Sequence, residues 1–106
     1  MRKEKKERLE RAGWIVSDAR EFLALNEADM ALVDVRVSLA RELRRRRMAK
    51  KLSQAALAKR IGSSQSRVAK MEAGDPSVSL DLLIRSLFTS GSTSADIGHV
   101  IAKAHA

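Results

Sequence analysis

Between Ser53 and Gly74 the sequence is punctuated closely enough to dictate a local structure. Ser53 stands ahead of Gln54 to Ile61 and Ser64 ahead of Gln65 to Glu72, each with a hydroxyl able to accept an amide proton at a helix start. Gly62 and Ala73-Gly74 stop the two segments. Two helices of about eight residues, separated only by Gly62-Ser63-Ser64, have to cross tightly, and the residue types suit that crossing. Ala58 sits where the first helix meets the second, so a small side chain lets the backbones approach. Gly62 begins the turn, where a positive φ is often required and a β-carbon would cost energy. Val68 and Met71, three apart, point into a core with Leu57 and Ile61. The opposite face of the second helix carries Gln65, Ser66, Arg67 and Lys70, all hydrogen-bond donors and none needed by that core.

Helices are the expectation elsewhere too. Residues 2–11 alternate Lys, Arg and Glu around a single Leu9, which allows at best a short solvated helix. Ser17 is placed to cap a short helix over 18–24 with Phe22 and Leu23 inward, and Asn26 to cap a long one over 27–51, with Glu27 and Asp29 in its first turn. Two apolar stripes run along the long helix: Met30, Val33, Val37 and Ala40, and beside them Leu32, Val35, Leu39 and Leu43. Stripes that wide imply burial on more than one side over 30–43. Ser79 caps an apolar helix over 80–88, residues 89–94 are Ser, Thr and Gly only, and a last helix over 95–104 presents Ile97, Val100, Ile101 and Ala104. No strand of useful length is legible. The fold class read from this is all-α.

Of the 106 residues, 16 are Ala, which leaves 31 larger apolar side chains, enough for one thin helical core and not for a cleft between domains. Absent cysteine excludes disulfide frameworks and thiolate metal sites. The charged opening MRKEKKER has no apolar stretch behind it, and no apolar run approaches the roughly 20 residues of a membrane span, so no membrane role and a cytoplasmic location are expected. The net charge is +8, distributed as +2 over 1–25, +4 over 26–52, +2 over 53–75 and zero over 76–106. A basic first part and a neutral tail suggest a polyanion-binding face near the middle. With only Trp14, Phe22 and Phe88 as aromatics, a base-stacking platform is absent, which favours duplex DNA over single strands or RNA.

The pattern resembles the Cro/CI-type (lambda-repressor-like, XRE) helix-turn-helix family. The resemblance rests on Leu43-x4-Met48, Leu52-Ser53-Gln54-x2-Leu57-Ala58, Gly62-x-Ser64-Gln65-Ser66-x-Val68, Met71-Glu72-x-Gly74 and Ser79-Leu80-x2-Leu83, in that order. It implies a five-helix DNA-binding domain over 26–90, with the helix-turn-helix proper at 53–74, a helical extension over 1–25 and a C-terminal helix over 91–106 able to dimerise. It assigns base reading to Gln65, Ser66, Arg67 and Lys70, and phosphate contact to Gln54 and Ser64. By the same resemblance Leu57, Ala58, Gly62, Val68 and Met71 are structural, and Glu72 pairs with an arginine of the first helix, Arg47. Arg44, Arg45 and Arg46 would then be left near phosphates. Two departures stand out. Lys51 replaces a common glycine, which implies a looser or longer turn, and Ala56 replaces the acid of a capping box, worth about 1 kcal/mol.

A single such domain spans too few bases for specificity, so the resemblance implies a homodimer on palindromic operator DNA. Its surface is expected on Ile97, Val100 and Ile101, or on the doubly apolar part of 30–43. The segment from Arg8 to Arg44 further resembles the extension of HigA-type antitoxins, which repress their own operon and neutralise a RelE/HigB-like RNase toxin. That resemblance makes Trp14, Ile15, Phe22 and Leu23 the candidate partner-binding residues and the bacterial nucleoid the site of action. Packing of Trp14 and Phe22 on their own chain is the competing reading. A stand-alone XRE repressor without a toxin and a helical protein-interaction module are the alternatives. No enzyme, cofactor or metal site is expected: His99 and His105 are six apart, and no nucleophile, base and orienting group converge.

Overall fold

The computed structural model describes residues 19–104, and their side chains from residue 26 onward. The chain divides into two compact units, residues 1–30 and 31–106. The described part of the first is helical backbone from Ala19 on. Trp14 and Ile15 lie outside the described residues, and of Phe22 and Leu23 only the backbone is described. The five described helices are α1 (Ala19–Ala49), α2 (Gln54–Ile61), α3 (Gln65–Glu72), α4 (Leu80–Thr89) and α5 (Ser94–Lys103), with no strand among the described residues. This is the all-α, Cro/CI-like arrangement expected. Asn26 caps nothing, because α1 runs through it. Asparagine inside a helix costs at most about 0.7 kcal/mol relative to alanine, and neither Gly nor Pro stands nearby to stop the helix.

Local hydrogen bonds set the boundaries of the shorter helices. At their starts Ser53, Ser64, Ser79 and Thr93 accept the amides of Ala56, Arg67, Leu82 and Asp96. Only the last is a full capping box, in which the Asp96 carboxylate also accepts the Thr93 amide at 2.9 Å. Ser53 has no such return bond, since residue 56 is alanine.

Four helix ends repeat one motif, a six-to-one bond enclosing a five-to-two bond around a left-handed residue. Leu52 and Lys51 donate to Arg47 and Met48; Ser63 and Gly62 to Ala58 and Lys59; Asp75 and Gly74 to Lys70 and Met71; Ser92 and Gly91 to Leu87 and Phe88. The turn after α1 is therefore no looser than the others. Lys51 adopts φ 56° to make it, where the other three positions are glycine.

The core of the second unit is built from Leu39 and Leu43 of α1, Leu57 and Ala58 of α2, Val68 and Met71 of α3, Leu83 and Leu87 of α4, with Val78 and Ile97. Ile61, Leu80, Ile84 and Val100 pack against its edge. Two expectations change here. Ile97 is only 7 % exposed, so it belongs to the core and not to a dimer surface, which leaves Ile101 as the exposed apolar residue of α5. Burial on both sides over 30–43 fails at its beginning: Leu32 and Val33 are 46 % and 57 % exposed, because the core of the unit reaches back only to Val35.

Gly62 isolates the conformational contribution of a turn residue. A β-carbon there meets nothing within 4 Å, yet φ is +67°. Gly62→Ala should destabilise the domain by about 1 kcal/mol through the left-handed backbone alone, read as a lower urea midpoint at unchanged slope. Gly62→Asn should recover part of the loss.

Candidate nucleic-acid interface

One ion pair locks the two crossed helices onto α1. Arg47, in the last turn of α1, donates through Nε and Nη2 to the two Glu72 oxygens at 2.6 and 2.9 Å, and through Nη1 to the Leu52 carbonyl at 2.8 Å. The pair is shielded, with side chains 13 % and 5 % exposed. The hydrogen bond to Glu72 raises the Arg47 pKa further above its already high ordinary value, so the guanidinium stays charged. Gln54 at the start of α2 donates to Glu72 Oε1 at 3.3 Å, and Gln65 at the start of α3 donates to Gln54 Oε1 at 3.5 Å. A chain of polar contacts thus runs from the end of α1 through Glu72 to the starts of α2 and α3.

The outer face of α3 is open. Gln65, Ser66, Arg67 and Lys70 are all exposed, while Val68 and Met71 fill the core behind them. Arg67 and Lys70 line an open groove with Ser77, Val78, Ser79 and Leu82, between α3 and the start of α4. Ser64 accepts the Arg67 amide at 3.2 Å and lies 3.3 Å from the Ser66 hydroxyl. This gives a convex helix face of donors and acceptors flanked by cations, the arrangement that hydrogen-bonds base edges in a major groove.

The four arginines of the run stand in different settings. Successive helix residues point about 100° apart, so four consecutive arginines cannot share one face. Arg44 is exposed and shares a shallow depression with Arg47, Gln54, Ala69, Glu72 and Ala73, on the α3 side. Arg45 instead clasps Glu42 with two bonds of 2.7 Å. Arg46 bonds Glu42 at 3.0 Å and Asp96 of α5 at 3.2 Å. These pairs give Arg45 and Arg46 carboxylate partners within the chain, while the Arg45 side chain stays largely exposed. Arg45 foremost, then Arg46, holds the Glu42 carboxyl below its ordinary value against the opposing effect of partial burial. The Thr93 amide, foremost, does the same for Asp96.

Two further cations hold loops. Lys50 donates to the Ser90 carbonyl at 2.7 Å and Arg36 to the Val78 carbonyl. Both bonds span 40 or more residues, so no local pattern announces them. Of the eight basic residues in 26–52, five (Arg36, Arg45, Arg46, Arg47 and Lys50) are therefore engaged within the chain, and Arg41, Arg44 and Lys51 stand exposed. Among the described residues no group of three or more His, Cys, Asp or Glu could hold a metal, and no helix is long and apolar enough to cross a membrane.

Two short helices crossed over a three-residue turn, held by a part-buried ion pair and presenting a polar outer helix, form a helix-turn-helix domain. Residues 38–87 match the family model described as a helix-turn-helix domain, a stretch that begins in α1, ends in α4 and contains both Arg47 and Glu72. The match supports a member of the XRE-like class, and with it a DNA-binding regulator. No curated protein and no solved structure matches the chain.

Glu72→Ala leaves the Arg47 guanidinium shielded with only the Leu52 carbonyl as partner. Removing one side of a buried pair typically costs about 3–5 kcal/mol, so the variant should unfold at a markedly lower urea concentration. A loss below about 1 kcal/mol, the level of a surface pair, would contradict the structural weight placed on this contact.

Proposed function

We propose that the protein is a sequence-specific repressor that lays α3 in the major groove of double-stranded operator DNA. The observation that carries this reading is the outer face of α3, where Gln65, Ser66, Arg67 and Lys70 are exposed and the core takes nothing from them. Glutamine can pair bidentately with adenine N6 and N7, and arginine or lysine can reach guanine O6 and N7. Gln54, Ser64 and Arg44 lie beside these residues in the roles of phosphate contacts. Action as a two-fold dimer on a palindrome, with half-sites one helical turn apart, supplies the base pairs that one domain lacks. Ile101, or Leu32 and Val33, are the exposed apolar side chains open to such pairing.

The test is binding to a duplex recovered by selection from random sequence. Gln65→Ala and Arg67→Ala should each weaken it by about 1–3 kcal/mol per lost base contact and relax specificity at the position read. Unchanged affinity for the selected duplex in both variants would reject the assignment.

Within this class we infer that the protein is an antitoxin acting at the bacterial nucleoid in the cytoplasm, autoregulating its operon and neutralising an RNase toxin of the RelE/HigB-like kind. The support is the resemblance of the segment Arg8 to Arg44 to HigA-type extensions, together with the apolar Leu32 and Val33 exposed on α1. Deleting residues 1–25 should abolish neutralisation of a co-expressed toxin while leaving operator binding within about twofold, since none of those residues belongs to the α3 face. Retained neutralisation would remove the proposed role of Trp14, Ile15, Phe22 and Leu23.

A further inference from the structure

We propose that Lys51 is a phosphate-contacting residue of the DNA-binding face, kept at a backbone position that the fold by itself would fill better with glycine. The inference rests on the DNA-binding reading above. Among the described residues Lys51 is the only non-glycine with positive φ, at 56°. The equivalent positions after α2, α3 and α4 are Gly62, Gly74 and Gly91. In the left-handed region a β-carbon is brought against the following carbonyl oxygen, so any L side chain is strained there, and Asn is tolerated better than Lys.

The strain has no return inside the molecule. Lys51 is exposed, and its ammonium makes no hydrogen bond or ion pair within the described residues. Its neighbour Lys50 does the opposite, donating to the Ser90 carbonyl and tying down the loop after α4. A lysine that serves the fold at this corner is thus already present one residue earlier.

The position of Lys51 supplies the missing reason. It stands three residues before Gln54, and the backbone between them is held firmly. Its own amide and that of Leu52 close the turn on Met48 and Arg47, and the Leu52 carbonyl accepts from Arg47. Gln54 is in turn tied to Glu72 and Gln65. On the proposed docking, the phosphodiester strand beside bases read from Gln65 would pass the start of α2, within three residues of the exposed Lys51. Backbone strain persists where function uses it, and an unstrained, more stable substitute then weakens activity.

Three variants of the full chain separate charge from backbone: Lys51→Gly, Lys51→Asn and Lys51→Arg. Each is measured by thermal unfolding and by binding to a fluorescein-labelled duplex of mixed sequence, about three helical turns long, between 50 and 200 mM salt. Phosphate contacts are felt equally by every sequence, so no operator is needed. Lys51→Gly should raise Tm by a few degrees. It should also weaken duplex binding several-fold at 50 mM salt and make the slope of log K against log salt shallower by roughly 0.9 for each lost contact. Lys51→Asn should lose the same affinity, and Lys51→Arg should keep both affinity and slope. A Lys51→Gly protein with unchanged affinity and slope overturns the proposal, and one with unchanged Tm overturns the claim of strain. Wild-type protein that binds no duplex overturns the DNA-binding reading itself, and this assignment with it.

Discussion

The Arg47–Glu72 pair is the contact on which the geometry of this domain turns. It joins the last turn of α1 to the last turn of α3 across 25 residues of sequence, and Arg47 also holds the Leu52 carbonyl just ahead of α2. Both charges are largely withdrawn from water, so their attraction is offset by desolvation, and the net gain over an apolar pair of the same size is small or negative. What the pair contributes is a single allowed arrangement. Its bidentate geometry admits one relative placement of α1 and α3, and Glu72 then anchors Gln54, which anchors Gln65. The polar residues at the starts of α2 and α3 are thus held on rigid elements, as recognition requires.

The same pair shows how misleading a total charge can be. A surplus of eight positive charges suggests a surface coated for polyanions. In the basic stretch of α1 and the turn after it, most cations instead hold the fold: Arg36 and Lys50 fix loops by their carbonyls, Arg45 and Arg46 gather on Glu42, and Arg46 reaches across to Asp96 of α5. Arginine suits this role because its planar fork of donors can satisfy two partners at once. The cations left beside α3 are few, and each stands at a definable place relative to Gln54 and Gln65.

Short-range features are legible in the residue pattern. Ser53, Ser64 and Ser79 mark helix starts and Gly62 and Gly74 mark ends, because a cap or a left-handed turn is completed within a few residues, and each boundary falls within two residues of its signal. The pairing of Leu57, Val68 and Met71 in the core follows from helical period in the same way. Such signals mislead where the deciding partner is distant or the local preference is weak. Asn26 resembles a cap, yet its small helix penalty is overridden by the helix formers on either side. Ile97 resembles a dimer residue until the core closes over it, and nothing local announces that Asp96 of α5 is brought beside Arg46.

The sequence by itself determined the helical character of the described residues, the ends of the shorter helices, and a polar outer face on α3, because these depend on hydrogen bonds and periodicities that span no more than one or two turns. Tertiary structure alone decided which of the four consecutive arginines face α3, which loops Arg36 and Lys50 hold, and that Lys51 bends into a glycine-like turn with its charge left in solvent. The reason is physical: a long cationic side chain is neutral toward helix formation and can satisfy many partners, so its role is set by whichever carboxylate or carbonyl the folded chain brings within reach.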